Sequence, residues 1–548
     1  MRCVLIPALV LLALGCRGNP DDIPDETAVT GPVPAEAPLR RLSTQDYRRG
    51  LVVLFGEAPV DEIQPLLAGV PEDVAEEEGE FSRNDSRLSQ RHIDQYYAIS
   101  DALAAQTAAS PALRARFSAS CETVDDACLD DFIPAFLRAA LRRPATTEEV
   151  SAARTVQSEF EGADRVHAVV FTTLMKPEAL YHFETSGSEA NGVVTLTADE
   201  LANRLSFHFW GEPPDEALRA AAGDGSLLTD EGLKTQVERL FADERTDATL
   251  DAFFDEWLHL SRGSYSASPR LSELARDIPL DGLAEEMQDE VFDLLHNAVR
   301  SPETTWFDVQ TTEESFARTE RLANLYGVTP WDGVGERPLF PAGERVGLLT
   351  RAALLSSGDG STNPFRRGAY VKRLILCEFQ AAPPADLPPD ALTPPPVEPG
   401  ASTRQSFAAK ITDTQCAGCH IGFTPLGYAL ESYDGLGRFR TTERLVSDTG
   451  EDLGTAPIDD DAVVRLAGES QEVSDGADLA LKIAQSGSAD ACLSRQYFRY
   501  AHRRVERAAD QPLLDAWTAA LDEGRPLGGW LKQVALDPTF RQRTLGGE

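Results

Sequence analysis

Apolar residues return at three- and four-residue intervals over most of this chain, and no long stretch alternates apolar with polar residues as an exposed sheet would. That periodicity points to a mainly α fold, and several helix starts are encoded locally. Ser43 is a fitting N-cap with Asp46 in the first turn. Tyr47, Leu51 and Leu54 follow on one face, and Gly56 can close the helix. Thr146 with Glu149, and Thr197 with Glu200, have the spacing of capping boxes. Ile133, Phe136, Leu137 and Leu141 keep helical spacing until Pro144, which is expected to stop the run. Leu201, Leu205 and His208 share a face, as do Leu283, Met287, Val291 and Leu294. Near the end, Gly524 and Pro526 separate two helices.

At 548 residues the chain is too long for one ordinary core. We divide it into an N-terminal helical segment (39–110), a second helical segment (121–190) and a central helical domain (193–356). A Pro-rich connector with a cysteine-bearing segment (357–445) and a C-terminal loop, hairpin and helical segment (446–548) follow. Residues 381–400 hold eight prolines and read as an extended connector. With 51 basic against 89 acidic residues the net charge is −38. Such a surface repels phosphate backbones, so no nucleic-acid partner is expected. It suits a basic protein partner or a cation, or acts only to keep the chain soluble.

Residues 1–15 read as a signal peptide, with Arg2 in the charged region and Val4 to Leu14 as the apolar stretch, too short to span a bilayer. Ala13-Leu14-Gly15-Cys16 resembles a bacterial lipobox, which would leave Cys16 lipidated and 16–38 as a flexible tether; an ordinary signal with an incidental cysteine is the other reading. The expected location is exported, held by a lipid anchor at the outer membrane or facing the periplasm.

Of eight cysteines, Cys3 leaves with the signal, Cys16 takes lipid, and Cys416 and Cys419 lie in Cys416-Ala417-Gly418-Cys419-His420. Cys121, Cys128, Cys377 and Cys492 remain, an even number in an oxidising compartment. Three pairings are open; we favour Cys121 with Cys128 and Cys377 with Cys492.

The C-x-x-C-H motif is a haem c attachment signal. Two thiols three residues apart match the separation of the two vinyl groups, and the adjacent His420 reaches the iron as proximal ligand. Two other readings stand beside it. A thioredoxin-like pair wants a βαβ context that the pattern lacks, and a zinc site needs distant partners. The carbonyl of Pro425 is a candidate acceptor for the His420 Nδ1–H. The sixth position is open. No Met follows His420, and His502 is first choice on chain proximity, ahead of Met175, Met287, His92, His167, His182, His208, His259 and His296. Arg438 and Arg440 suit haem propionates or a solvated turn. Asp459, Asp460 and Asp461 lack the alternate spacing of a calcium loop.

The order of these segments resembles a family of exported, multi-segment bacterial c-type cytochromes: domain of unknown function 1592, with companion segments 1587, 1595, 1588 and 1585. Leu39 to Tyr47 is similar to the opening segment, Phe136 to Pro144 to the second, and Leu201 to Gly211 with Phe253 to Leu258 to the central one. Gly347 to Thr350, Asn363 to Gly368, Cys416 to His420 and Pro425 to Arg438 are similar to the haem-bearing segment, and Cys492 with Arg499 to Ala501 to the last. The resemblance implies an exported haem protein and no particular substrate. The expectation is a multi-segment helical protein with a cytochrome c-like attachment segment near residues 403–445, one covalent haem c and a redox partner protein. Beside electron transfer stand a haem enzyme, peroxidase-like or the electron-accepting subunit of a dehydrogenase, and a surface scaffold with structural haem.

Overall fold

The computed structural model describes residues 40–71, 81, 84, 88–190, 193–260, 265, 268–384, 387, 391–412 and 414–544. The expected signal peptide (1–15), Cys16 and the expected tether at 16–38 lie outside the described residues. The described part is mainly α, with 26 helices and only short sheets. None of these helices is long and apolar enough to cross a membrane.

The helix starts follow the local code. The first helix, Thr44–Phe55, begins where the Ser43 hydroxyl accepts from the Asp46 N–H, 3.0 Å away, and Gly56 ends it at φ 88°. Capping boxes at Thr146 and Thr197 open Thr147–Gln157 and Ala198–Trp210. Leu283–Arg300 buries Leu283, Met287, Val291 and Leu294 along one face. One stop differs from expectation. The Asp126–Leu141 helix ends at Arg142, which turns left-handed at φ 60°, two residues before Pro144. Arg142 can hold that conformation because its guanidinium donates to the carbonyls of Glu178, Ala179 and Tyr181.

Tertiary packing gathers the expected segments around two main cores. The first spans Leu42 to Leu180, joining the N-terminal and second segments. The second runs from Leu196 to Phe540, so the central, cysteine-bearing and C-terminal segments fold around common apolar residues. Two aromatics are exchanged between them. Phe207 of the Ala198–Trp210 helix packs in the first core, and Phe81 stacks on Phe253 in the second at 5.8 Å. The polar stretch after 441 forms two antiparallel hairpins, Thr442–Val446 with Asp452–Pro457 and Ala462–Leu466 with Glu469–Val473, where a single short hairpin was expected. The C-terminal strand Gln542–Thr544 returns to pair with Val193–Thr195.

Both favoured disulfides form. Cys121–Cys128 closes a short loop in the first core, and Cys377–Cys492 ties the cysteine-bearing segment to the Ser488–His502 helix across 115 residues.

Candidate haem-attachment site

Cys416, Cys419 and His420 share one short helix, Thr414–His420. Residues three apart on a helix lie on one face, so the thiols are neighbours. Both are free; Cys416 is half-buried and Cys419 exposed. His420 is half-buried against Phe365 and Phe423, with ring centroids 4.1 and 4.7 Å away, and Phe407 backs Phe365 at 4.8 Å. Burial lowers the His420 pKa and favours neutral imidazole. Its Nδ1 lies 3.0 Å from the Thr424 hydroxyl. With that hydroxyl accepting from Nδ1–H, Nε2 keeps its lone pair for a metal.

Pro425 does not take the role expected of it. It occupies the first turn of the Thr424–Tyr428 helix, and its carbonyl accepts from the Ala429 N–H at 3.2 Å. Thr424 is the imidazole's partner instead. A hydroxyl four residues past the histidine, in a helix-opening position, was the overlooked signal.

Two glycines set where this helix sits. At Gly427 an added Cβ would lie 1.9 Å from the Pro364 carbonyl oxygen, and at Gly368 it would lie 2.1 Å from that of Phe423. The Thr424–Tyr428 and Pro364–Tyr370 helices therefore cross backbone against backbone. Arg367 locks the crossing. Its buried guanidinium donates to the carbonyls of Leu430 and Tyr433 at 2.9 and 2.7 Å, and to those of Leu355 and Asp434 at 2.8 and 2.7 Å. Burial pushes its pKa down to about 10. The Asp434 carboxylate in turn accepts from the Leu436 and Arg438 N–H groups and from Arg438 Nε. The motifs at 363–368 and 425–438 are thus the mount on which His420 is carried.

The structure redirects the propionate candidates. Arg438 is held by Asp434, Asp277 and the Leu274 carbonyl, and Arg440 by Glu431. Asp459 pairs with Arg404 and Asp460 with the Ser432 hydroxyl.

His502 is not brought to His420. It ends the Ser488–His502 helix, against Phe498 and Trp517, and lines a cavity to which 357–445 contributes no described residue. His182 lines that cavity too. The other candidates for the sixth position have partners of their own. His167 meets Asp101 at 3.0 Å, His296 meets Asp251 at 2.6 Å, His208 meets the Tyr497 hydroxyl at 3.1 Å, and Met287 takes the Tyr265 hydroxyl at 3.4 Å. His92 caps its own helix through Ser89, Met175 packs beside the first core, and His259 closes a helix in the left-handed conformation.

Residues 196–328 match the family model described as protein of unknown function DUF1592, and residues 345–443 match the one described as protein of unknown function DUF1588. The chain carries both segments. No curated protein and no solved structure matches it. The DUF1588 segment contains the whole mount, from Arg367 and Gly368 to Arg438, together with Cys416, Cys419 and His420. The boundary between the two segments is not a boundary of the core: Glu290, within DUF1592, and Arg351, within DUF1588, form an ion pair with both side chains fully buried.

The donor set suits haem c. Two unpaired thiols lie one helical turn apart, and one imidazole has its Nδ1 engaged amid aromatic rings. A zinc site would need further converging ligands. Among the described residues no group of three or more His, Cys, Asp and Glu side chains is placed to hold a metal ion.

Proposed function

We propose that this protein is an exported, lipid-anchored c-type cytochrome that passes single electrons to a partner protein. The observation that carries this reading is the Thr414–His420 turn, with free thiols at Cys416 and Cys419 and a half-buried His420 whose Nδ1 is turned to Thr424. A haem c held there supplies a one-electron iron couple. Cys416 and Cys419 would hold the group through thioether bonds, and His420 Nε2 would be the proximal ligand. Thr424 orients the ring and, by accepting from Nδ1–H, raises its basicity. Phe365, Phe407 and Phe423 keep water from the imidazole and so favour its neutral, ligating form. The exposed Ile421 beside the histidine leaves an apolar edge open to solvent, where an electron partner can approach.

The test is an optical spectrum, oxidised and reduced, of protein expressed with the haem-maturation machinery. The expected result is a covalently held haem, lost in Cys416→Ala/Cys419→Ala, with a low-spin spectrum. A correctly folded wild type that carries no covalent haem would overturn the proposal. A high-spin spectrum that shifts on adding peroxide or cyanide would replace electron transfer by a haem enzyme.

A further inference from the structure

A second polar site lies where the two cores meet, at a cavity of about 310 Å³. Four parts of the chain build it. The start of the Thr44–Phe55 helix and the strand before it form one wall, and His182 and Glu184 another. The Ala198–Trp210 and Arg245–Leu258 helices form a third, and the end of the Ser488–His502 helix closes it. Small-molecule sites in proteins favour such junctions and are of this size.

Its charge is opposite to that of the protein. Arg40, Arg41, Arg49, Arg204 and Arg503 line it, against the carboxylates Asp46, Glu184 and Glu256. With neutral histidines the described lining carries two positive charges, inside a chain whose net charge is −38. Some of this charge is used internally. Glu184 is held by Arg204, which also donates to the carbonyls of Phe540 and Gln542, and Glu256 meets Arg503 at 3.4 Å. Arg49 donates to the Trp210 carbonyl.

Three other groups are not consumed. Among the described residues the side chains of Arg40, His182 and His502 have no hydrogen-bond partner, and all three line the cavity. All three are part-buried, so their polar atoms are open to the cavity, where the polar groups of a ligand can meet them. The field there is positive. After burial, every neighbour that lowers the His182 pKa is an arginine: Arg40, Arg142, Arg503 and Arg204. At His502 the same holds for Arg504, Arg204 and Arg40, joined by His208. Burial, opposed by Glu184 and reinforced by Arg503 and Arg204, brings Arg40 itself down to about 10.

We infer that this cavity binds a small organic dianion, a dicarboxylate or a phosphate monoester, with Arg40 as the principal anchor and His182 and His502 as neutral hydrogen-bond partners. Two negative charges neutralise the lining, and the guanidinium fork fits the paired oxygens of either group. The volume admits one such molecule and excludes a polymer. The inference does not depend on haem, because no described residue of 357–445 lines the cavity.

The test is calorimetric titration of the full chain with succinate, phenyl phosphate and inorganic sulfate, beside the uncharged succinamide. Saturable binding of at least one dianion is expected, with none of succinamide. Succinate and phenyl phosphate distinguish the two sources, and sulfate keeps its charge at any working pH. Arg40→Gln should weaken binding about tenfold or more, the loss expected for one charge-assisted pair. His182→Asn should weaken it less. Arg276→Gln, at an exposed arginine remote from the cavity, should leave it unchanged. Cys416→Ala/Cys419→Ala should bind as wild type does, which separates this result from the fate of the haem proposal. Absence of saturable binding by folded wild type up to about 10 mM of every dianion would overturn the inference. So would wild-type affinity in an Arg40→Gln variant whose circular dichroism melt is unchanged.

Discussion

Replacing Gly427 by alanine tests the mount directly. The added Cβ would start 1.9 Å from the Pro364 carbonyl oxygen, and real Cβ atoms essentially never approach a neighbour closer than 3.0 Å. The two helices must therefore separate by an ångström or more. They cannot slide apart freely, since Arg367, on one helix, holds three carbonyls just past the end of the other. Overpacking against backbone belongs at the upper end of the usual range, about 3 kcal/mol. The core that contains the crossing runs from Leu196 to Phe540. At about 2.1 cal/mol/K per residue its unfolding entropy is near 0.7 kcal/mol/K, so the melting temperature should fall by about 4 °C. Gly418 is the internal control. It lies in the same segment, in a helix, with nothing within 4 Å of its added Cβ. Gly418→Ala should gain about 0.8 kcal/mol of helix propensity and raise the melting temperature by about 1 °C. Calorimetric melts of both variants in haem-free protein provide the measurement. A Gly427→Ala melt within about 1 °C of wild type, or equal damage from Gly418→Ala, would refute the backbone-on-backbone crossing.

Three other outcomes follow from buried groups. Glu290→Ala should cost about 3–5 kcal/mol by denaturant melting, because Arg351 is left charged and fully buried; Glu290→Leu with Arg351→Met should recover much of the loss. Removing Cys377–Cys492 by a double alanine substitution should cost about 2–5 kcal/mol in denaturant melts, since the bond closes 115 residues, and reduced wild type, which also loses Cys121–Cys128, should melt no higher than the variant. Burial, reinforced by the facing Asp522, pushes the Asp490 carboxyl up to about 7 from an ordinary 3.8. The folded state then holds a proton that the unfolded chain has released between pH 4 and 7, so wild-type stability declines as pH rises through that window. Asp490→Asn should flatten the decline, matching wild type near pH 4 and exceeding it by a few kcal/mol near pH 8 in urea melts; a parallel decline in the variant would count against this assignment.

Much of the secondary structure was legible because its causes are local. Ser43, Thr146 and Thr197 cap the N–H groups within three residues, and the apolar stripe of Leu283 to Leu294 is a property of one helix. The Cys416 to His420 spacing is likewise local, and so is the Cys121–Cys128 loop. Arg142 shows the limit. Its left-handed turn is held by carbonyls 36 to 39 residues away, which outweighed the nearby Pro144. Thr424 rather than Pro425 meets the imidazole for a similar reason: spacing says which atoms are near, while the helix phase decides which one faces the ring.

By itself, then, the sequence determined the mainly α character, most helix starts and the thiol–thiol–imidazole turn, each encoded within a few residues of chain, together with the DUF1592 and DUF1588 signatures spread over 196–328 and 345–443. Only tertiary structure decided that three of the expected segments share one core, that Gly368 and Gly427 press two backbones together, and that His502 faces Arg40 and His182. Those facts join residues tens to hundreds of positions apart. Apolar burial and buried polar groups in search of partners choose such neighbours by shape and charge, and neither leaves a periodic trace along the chain.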